Sequence, residues 1–371
     1  MRSGFHPVVL EQADSLEPVG AGIQLSPNAS RILVDLGLAE SLAPHIVSPQ
    51  EVRIMRAHNA REIARAQLDN SEFRYGAPYW LVHRGDLQTA LLDRVVASRA
   101  ATVHFGSRVE DFAVHANGIT VQSRTQDGLR QEPGIAFVGA DGLWSQVRNR
   151  IVGEAPPHFC GRSAWRATID AELVPPEFRE PITWLWLGAN AHLVHYPIRG
   201  GKAVNLVAIM RDEWQAPGWS ESADRADIEV RFSQWAADPR ALLAIPDSWS
   251  KWALFDRPPL RNWSRGPVTL LGDAAHPMLP FLAQGGAMAI EDAAVLANAL
   301  ARSPDDAAAA FAAYEGVRRT RTARVARESQ RNGLLYHLSG PAVLARNLAL
   351  QRLSGDRLMQ RYDWLYDWRA A

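Results

Sequence analysis

The segment VTLLGDAAHPMLPFLAQGGAMAIEDAAVLANAL, residues 268 to 300, carries the strongest chemical signal in the chain. An apolar strand is expected at Val268 to Leu271, a Pro-rich loop from Ala274 to Ala283, and a helix from about Gly285 to Ala301. Asp273 then sits at a strand's carboxyl end, where a carboxylate can meet the hydroxyls of a ligand. Gly285 and Gly286 let backbone N–H groups approach an anion, and the helix behind them adds about half a positive charge. An isolated Gly272-Asp273 pair reads as packing; the whole string does not.

A second string, GADGLWSQVR at 139 to 148, follows another apolar strand, Ile135 to Val138. Its Asp141, Ser145 and Arg148 project from a turn into a new helix. Alone, Gly-Asp-Gly is an ordinary turn. Beside the first string it reads as part of one site.

The elements that must hold these groups are legible from periodicity. Helices are expected over Asn28 to Leu38, Asp86 to Ala101 and Asp224 to Ala237, with another opened by Ser303-Pro304 and the acids Asp305 and Asp306. Strands are expected at Pro7 to Leu10, Thr102 to Phe105, Val109 to His115 and Ile119 to Ser123, the last two joined by Asn117-Gly118. Trp184 to Leu187, His192 to Pro197 and Ala203 to Met210 read as antiparallel strands. Mixed βα units around this block predict an α/β fold, a doubly wound Rossmann-like domain with an inserted, mostly antiparallel sheet. The expected division is 1–45, 82–155 and 262–330 for the nucleotide domain, 46–81 and 156–261 for the sheet domain, and 331–371 for a C-terminal helical segment. Arg318, Arg321, Arg324, Arg327 and Arg331 recur at helical spacing and are read as a solvated face, while YDWLYDWRAA reads as a docking segment.

Composition narrows the class. The chain has 371 residues, 47% of them hydrophobic, enough for a large core. Lys+Arg and Asp+Glu both number 40, so charge supports neither a nucleic-acid nor a membrane-surface partner. Cys160 is the single cysteine, which excludes a disulfide framework and a Cys-based metal cluster; no metal is expected, and a cytoplasmic setting is. The longest apolar stretch, Gly285 to Ala301, carries Glu291 and Asp292.

Together the two strings resemble the class A flavin-dependent aromatic hydroxylases, the family of p-hydroxybenzoate, salicylate, 3-hydroxybenzoate and 6-hydroxynicotinate monooxygenases. The resemblance covers nearly the entire chain and includes Val8-Val9-Leu10-Glu11, the stretch Val19 to Ala29, and His83-Arg84-Gly85-Asp86-Leu87. It implies FAD as cofactor, NADH or NADPH as co-substrate, and oxygen transfer from a C4a-hydroperoxyflavin to a phenolic, aromatic-carboxylate or N-heteroaromatic ring, by a monomer or homodimer. Glu11 would bind the adenosine ribose and Val109 the adenine through its backbone. Arg84, Gly272 and Asp273 would reach the diphosphate and ribityl region, with Ala21, Gly22, Gly285 and Gly286 against the flavin. Asp141 and Arg148 would serve both FAD and the nicotinamide nucleotide. Pro280 would offer a carbonyl to the substrate or the transferring oxygen.

The resemblance also places His192 and Tyr196 in the substrate pocket. Four residues apart on a strand, they share a face that His195 does not. His192 is read as base or substrate contact, Tyr196 as an orienting hydroxyl, and His276 as structural. Gly20-Ala21-Gly22 is not a Rossmann fingerprint, because no third glycine opens a helix. That fingerprint puts its acid about 20 residues beyond its glycine turn. Glu11 therefore implies a glycine turn upstream of Met1, and the chain as written is expected to bind FAD weakly or fold poorly. Two other readings stay open: a flavin oxidoreductase that does not hydroxylate rings, and a non-catalytic relative without flavin.

Overall fold

The computed structural model describes residues 4–16, 21–153, 155–214 and 221–370. Its largest element is an eight-stranded sheet. In spatial order the strands are Glu221–Asp224, Ser248–Asp256, His158–Asp170, Ala203–Arg211, Ala191–Ile198, Ile182–Gly188, Glu51–Arg56 and Arg61–Gln67. Every neighbouring pair is antiparallel except Ile182–Gly188 with Glu51–Arg56.

The two-residue period of these strands feeds two cores. One face of the sheet packs Trp165, Trp186, Leu193 and Leu206 with Phe178, Ile228, Phe232 and Leu242. The other face packs Leu185, Leu187, Tyr196 and Ala203 with Met288, Val325, Leu365 and Tyr366. The second face thus meets the helix Gly285–Arg302, the long helix Ala307–Tyr336 and the chain's C-terminal turn Asp363–Tyr366. Burying a large apolar side chain contributes about 1.5–3 kcal/mol, so these contacts fix the sheet against the helices.

The βα part is built from short parallel pairings. Val8–Leu10 pairs with Thr102–His104, and Phe137–Gly139 with Val268–Leu270, the latter also bordered by Ser264–Arg265. Among the described residues no strand occupies the other edge of Val8–Leu10, and Val8 and Val9 are 42% and 46% exposed. Gly22–Leu25 runs antiparallel to Trp80–His83, an arrangement foreign to a dinucleotide fingerprint; Gly20 lies outside the described residues.

Two sequence expectations are corrected. The helix expected over Asp224 to Ala237 is two helices, Arg225–Arg231 and Ala237–Leu243. Between them Trp235 packs edge-on to Phe232, and Ala236 N–H bonds the carbonyl of Ala57, so tertiary contacts turn the chain. Pro239 lies in the second helix's first turn, where its missing N–H costs nothing. The arginine row on Ala307–Tyr336 is not a solvated face. Arg318 is fully buried, its guanidinium bonding Glu291 and, at 2.6 Å, Asp292. Arg321 grips Glu291 at 2.7 and 2.8 Å, and Arg324 lies 3.6 Å from the centroid of Trp364. Only Arg327 and Arg331 are exposed and without an aromatic or buried partner in this row. Two carboxylates buried on the helix Gly285–Arg302 demand cations, and the facing helix supplies them.

Candidate active site

The Gly-Asp loop is held from beneath. Gly272 has φ +62°, and its N–H donates to Asp292, which also bonds His276 Nε2 at 2.5 Å. His276 is thereby tied into the loop's support. Arg148 is buried below the same loop, donating to the carbonyls of Ala274 and Ala275 at 3.2 and 3.3 Å. Burial and the nearby Arg257 lower its pKa to about 10, still charged at neutral pH. Asp141 caps the helix Gln146–Val152, accepting from the Ser145 hydroxyl and from the N–H groups of Gln146 and Val147. The GADGLWSQVR string therefore braces the Asp273 loop through Arg148.

Above the loop, Asp273 stays exposed to water while closely surrounded by protein. That crowding raises its pKa, and His276 and Arg84 pull it back. Arg84 is exposed at the start of the helix Arg84–Ser98, where its N–H bonds Ala21 O. Gly22 donates its N–H to Asn205 Oδ1 at 2.6 Å. A Cβ on Gly22 would lie 2.6 Å from the Tyr196 ring, so only glycine lets this turn lie on the sheet. A Cβ on Gly286 would meet Ile23 Cδ1 at 2.5 Å, whereas Gly285 faces open space. The helix Gly285–Arg302 has no side-chain cap and no acid in its first turn. Gln284, just before it, bonds Ser26 and Asn28, and Asn28 reaches on to Glu291.

Glu11 ends its strand as expected; its carboxylate accepts from Ala13 N–H at 2.8 Å. Val109 stands at a bulge in the strand Arg108–His115, which leaves the adjoining backbone out of register. Pro280 opens a single turn, Pro280–Leu282, and its carbonyl already accepts from Ala283 N–H. One lone pair of that oxygen remains for another donor.

The strand Ala191–Ile198 divides its side chains as the period requires. His195 is buried against Trp184 and Trp186, its ring near-parallel to both, and burial lowers its pKa to about 3. His192 and Tyr196 lie on the opposite face. Tyr196 packs on Gly22, and burial raises its pKa. His192 touches Phe281 of the Pro280 turn and Tyr336 at the end of the long helix. Its Nδ1 is 2.7 Å from Nε2 of His337, whose Nδ1 accepts from Arg162 Nε at 2.9 Å.

Sequence patterns did not single out His337, Arg162, Arg166, Asn205 or Gln284. The i, i+4 offset of Arg162 and Arg166 on a strand was available as a signal, since it puts both on one face. Arg166 is desolvated beside Tyr196 and Arg84, and its Nε finds no partner. Asn205 Nδ2 is likewise buried and unbonded. Such donors cost free energy unless a ligand accepts from them.

These features suit a flavin nucleotide. Unpaired donors at Arg166 and Asn205 match carbonyl and ring-nitrogen acceptors, Asp273 matches ribityl hydroxyls, and the uncapped helix end and Arg84 match anionic oxygen. Comparison with known proteins agrees. An "FAD binding domain" family model matches residues 1–329. The chain is 35% identical over 370 residues to 3-hydroxybenzoate 6-hydroxylase of Klebsiella oxytoca, covering 99% of this chain and 92% of that protein. It is 37% identical over 378 residues to the 3-amino-4-hydroxybenzoate 2-monooxygenase PtnB3 of Streptomyces platensis, covering 100% and 92%. A salicylate hydroxylase in its substrate complex superposes with a TM-score of 0.81 at 24% identity, covering 100% of this chain and 97% of that one. The chain belongs to the FAD-dependent aromatic-ring hydroxylases.

Proposed function

We propose that the chain hydroxylates a benzoate-type ring bearing a phenolic hydroxyl, with NADH or NADPH and O2 as co-substrates. The observation that carries this reading is the shared sheet face of His192 and Tyr196. That face meets the Pro280–Leu282 turn at one end and the Gly22 turn at the other. The named activities of the similar proteins, on hydroxybenzoates and aminohydroxybenzoates, support the substrate class.

FAD, when bound, supplies the reductive activation of O2. The chain's residues do the rest. Arg84, Asp273 and the N-terminal N–H groups at Gly285 and Gly286 would hold the flavin together with Gly22 and Ala21, and Glu11 and Val109 would take the adenosine end. Asp141 and Arg148 act through the loop they brace. Phe281 and Tyr336 exclude water from the ring, which raises the weight of every polar contact there. His192 meets the ring's hydroxyl, Tyr196 orients it, and the free lone pair of Pro280 O lies in the same turn. Cys160, half-buried and alone in the chain, fits a reducing cytoplasmic setting.

The test is nicotinamide oxidation and O2 uptake with a panel of monohydroxybenzoates and aminohydroxybenzoates, products being identified by mass. Ring-dependent stimulation with a hydroxylated product is expected. Oxidation indifferent to every aromatic acid would overturn the substrate class.

A further inference from the structure

The hydrogen-bond chain from Arg162 to His192 can run in one direction only. A guanidinium donates and never accepts. Arg162 Nε–H therefore places the lone pair of His337 on Nδ1, and a neutral His337 carries its proton on Nε2. That N–H faces His192 Nδ1 at 2.7 Å, so His192 Nδ1 accepts. A neutral His192 then carries its own proton on Nε2. The order Arg162, His337, His192 sets both tautomers in turn, as one ring nitrogen's bond sets the other's role.

Both rings are neutral near neutral pH. Burial and then Arg162 lower His337 to about 3, and burial, His337 and Arg162 hold His192 well below the ordinary histidine value. The groups packed around the pair are Arg162 on the strand His158–Asp170, Tyr336 on the long helix, and Phe281 on the loop. Cys160 and Asp256 lie beyond Arg162, and among the described residues no carboxylate contributes to the shift of either imidazole.

We propose that Arg162 and His337 are positioning residues that fix His192 as an Nε2–H donor, which grips an anionic phenolate oxygen of the substrate. His192 is then not the base that removes the phenolic proton. The substrate's O–H bond breaks on binding, its proton leaves to solvent, and the oxygen keeps the electron pair that enriches the ring. Bound charge is shared with the Arg162 guanidinium through two neutral rings. The inference rests on His192 facing the substrate, as read above.

The test uses the full FAD-loaded chain with 3-hydroxybenzoate as probe. The phenolic pKa of the bound probe is read from its difference spectrum, alongside the pH profile of kcat/KM. The wild type is expected to bind the phenolate and to lower that pKa. His337→Leu should weaken phenolate binding about tenfold or more, the weight of a hydrogen bond to a charged group. It should also move the kcat/KM profile to higher pH. His337→Gln, whose amide can accept from Arg162 and donate to His192, should restore most of the loss. Arg162→Met, with His337 retained, should shift the profile in the same direction as His337→Leu, which covers the case where the leucine variant does not fold.

A bound phenolic pKa unchanged in His337→Leu or in Arg162→Met overturns the proposal. The same holds if His337→Gln is as impaired as His337→Leu. A His192→Ala variant separates the two levels. If it binds the probe and turns over like wild type, His192 does not face the substrate and the underlying reading fails. If it is impaired while the His337 variants are normal, only the donor assignment fails.

Discussion

Replacing Arg318 by methionine removes a guanidinium that touches both buried carboxylates of the helix Gly285–Arg302. Glu291, Asp292 and Arg318 are all fully buried, and Arg318 also donates to the Met288 carbonyl at 3.3 Å. Breaking a buried ion pair by removing one partner costs about 3–5 kcal/mol. Arg321 still holds Glu291 and His276 still holds Asp292, so the lower end, about 3 kcal/mol, is expected. At roughly 2 °C per kcal/mol for a chain of this size, the apparent Tm falls by about 6 °C. Acid sensitivity changes in a defined direction. Burial alone would raise the Asp292 pKa, but His276 and Arg318 more than reverse it, so it lies below the ordinary carboxylate value. Its contribution to stability is complete above the unfolded pKa of about 4 and is lost as pH falls through the depressed folded value. Without Arg318 the folded pKa rises, and acid unfolding should begin at higher pH. Thermal and acid unfolding followed by circular dichroism, with Arg327→Met as the exposed control, measure both effects. A change below about 0.5 kcal/mol in both variants, as expected for surface substitutions, would refute the buried-network argument.

Gly22→Ala should lower stability by about 1–3 kcal/mol through overpacking and impair flavin retention, because its Cβ meets the Tyr196 ring at 2.6 Å and Asn205 at 2.9 Å. Gly286→Ala meets only the flexible tip of Ile23, so its unfolding cost should be smaller; equal losses in denaturant titrations would contradict the contrast. Asp273→Asn should weaken FAD binding by about tenfold or more, measured by flavin fluorescence titration, while leaving the apoprotein's Tm within about 1 °C. Asp141→Ala removes the acceptor of two helix N–H groups and should cost about 1 kcal/mol. Flavin reduction by the nicotinamide nucleotide, followed by stopped flow, then tells whether Asp141 also serves hydride delivery.

Features set by short-range chemistry could be read from the sequence. The Gly272-Asp273 turn is legible because an apolar strand ends directly at a glycine, which takes the positive φ the turn needs. The split of His192 and Tyr196 from His195 follows from the two-residue period alone. The Asn117-Gly118 hairpin needs only its turn. Tertiary structure decided the rest. Helical spacing grouped the arginines of Ala307–Tyr336, but nothing local says which face meets another helix. Glu291 and Asp292 settled that by being buried, because charges taken from water need counter-charges and hydrogen bonds. The helix expected to continue past Phe232 is turned by Trp235 and Ala57, a contact outside its own window. His337 lies 145 residues from His192, and only the packing of the long helix against the sheet brings the two rings together. The direction of their hydrogen bonds depends in turn on Arg162, from a third element. Period and turn chemistry act over a few residues, whereas the protonation pattern of a buried site depends on groups that meet only when the chain is folded.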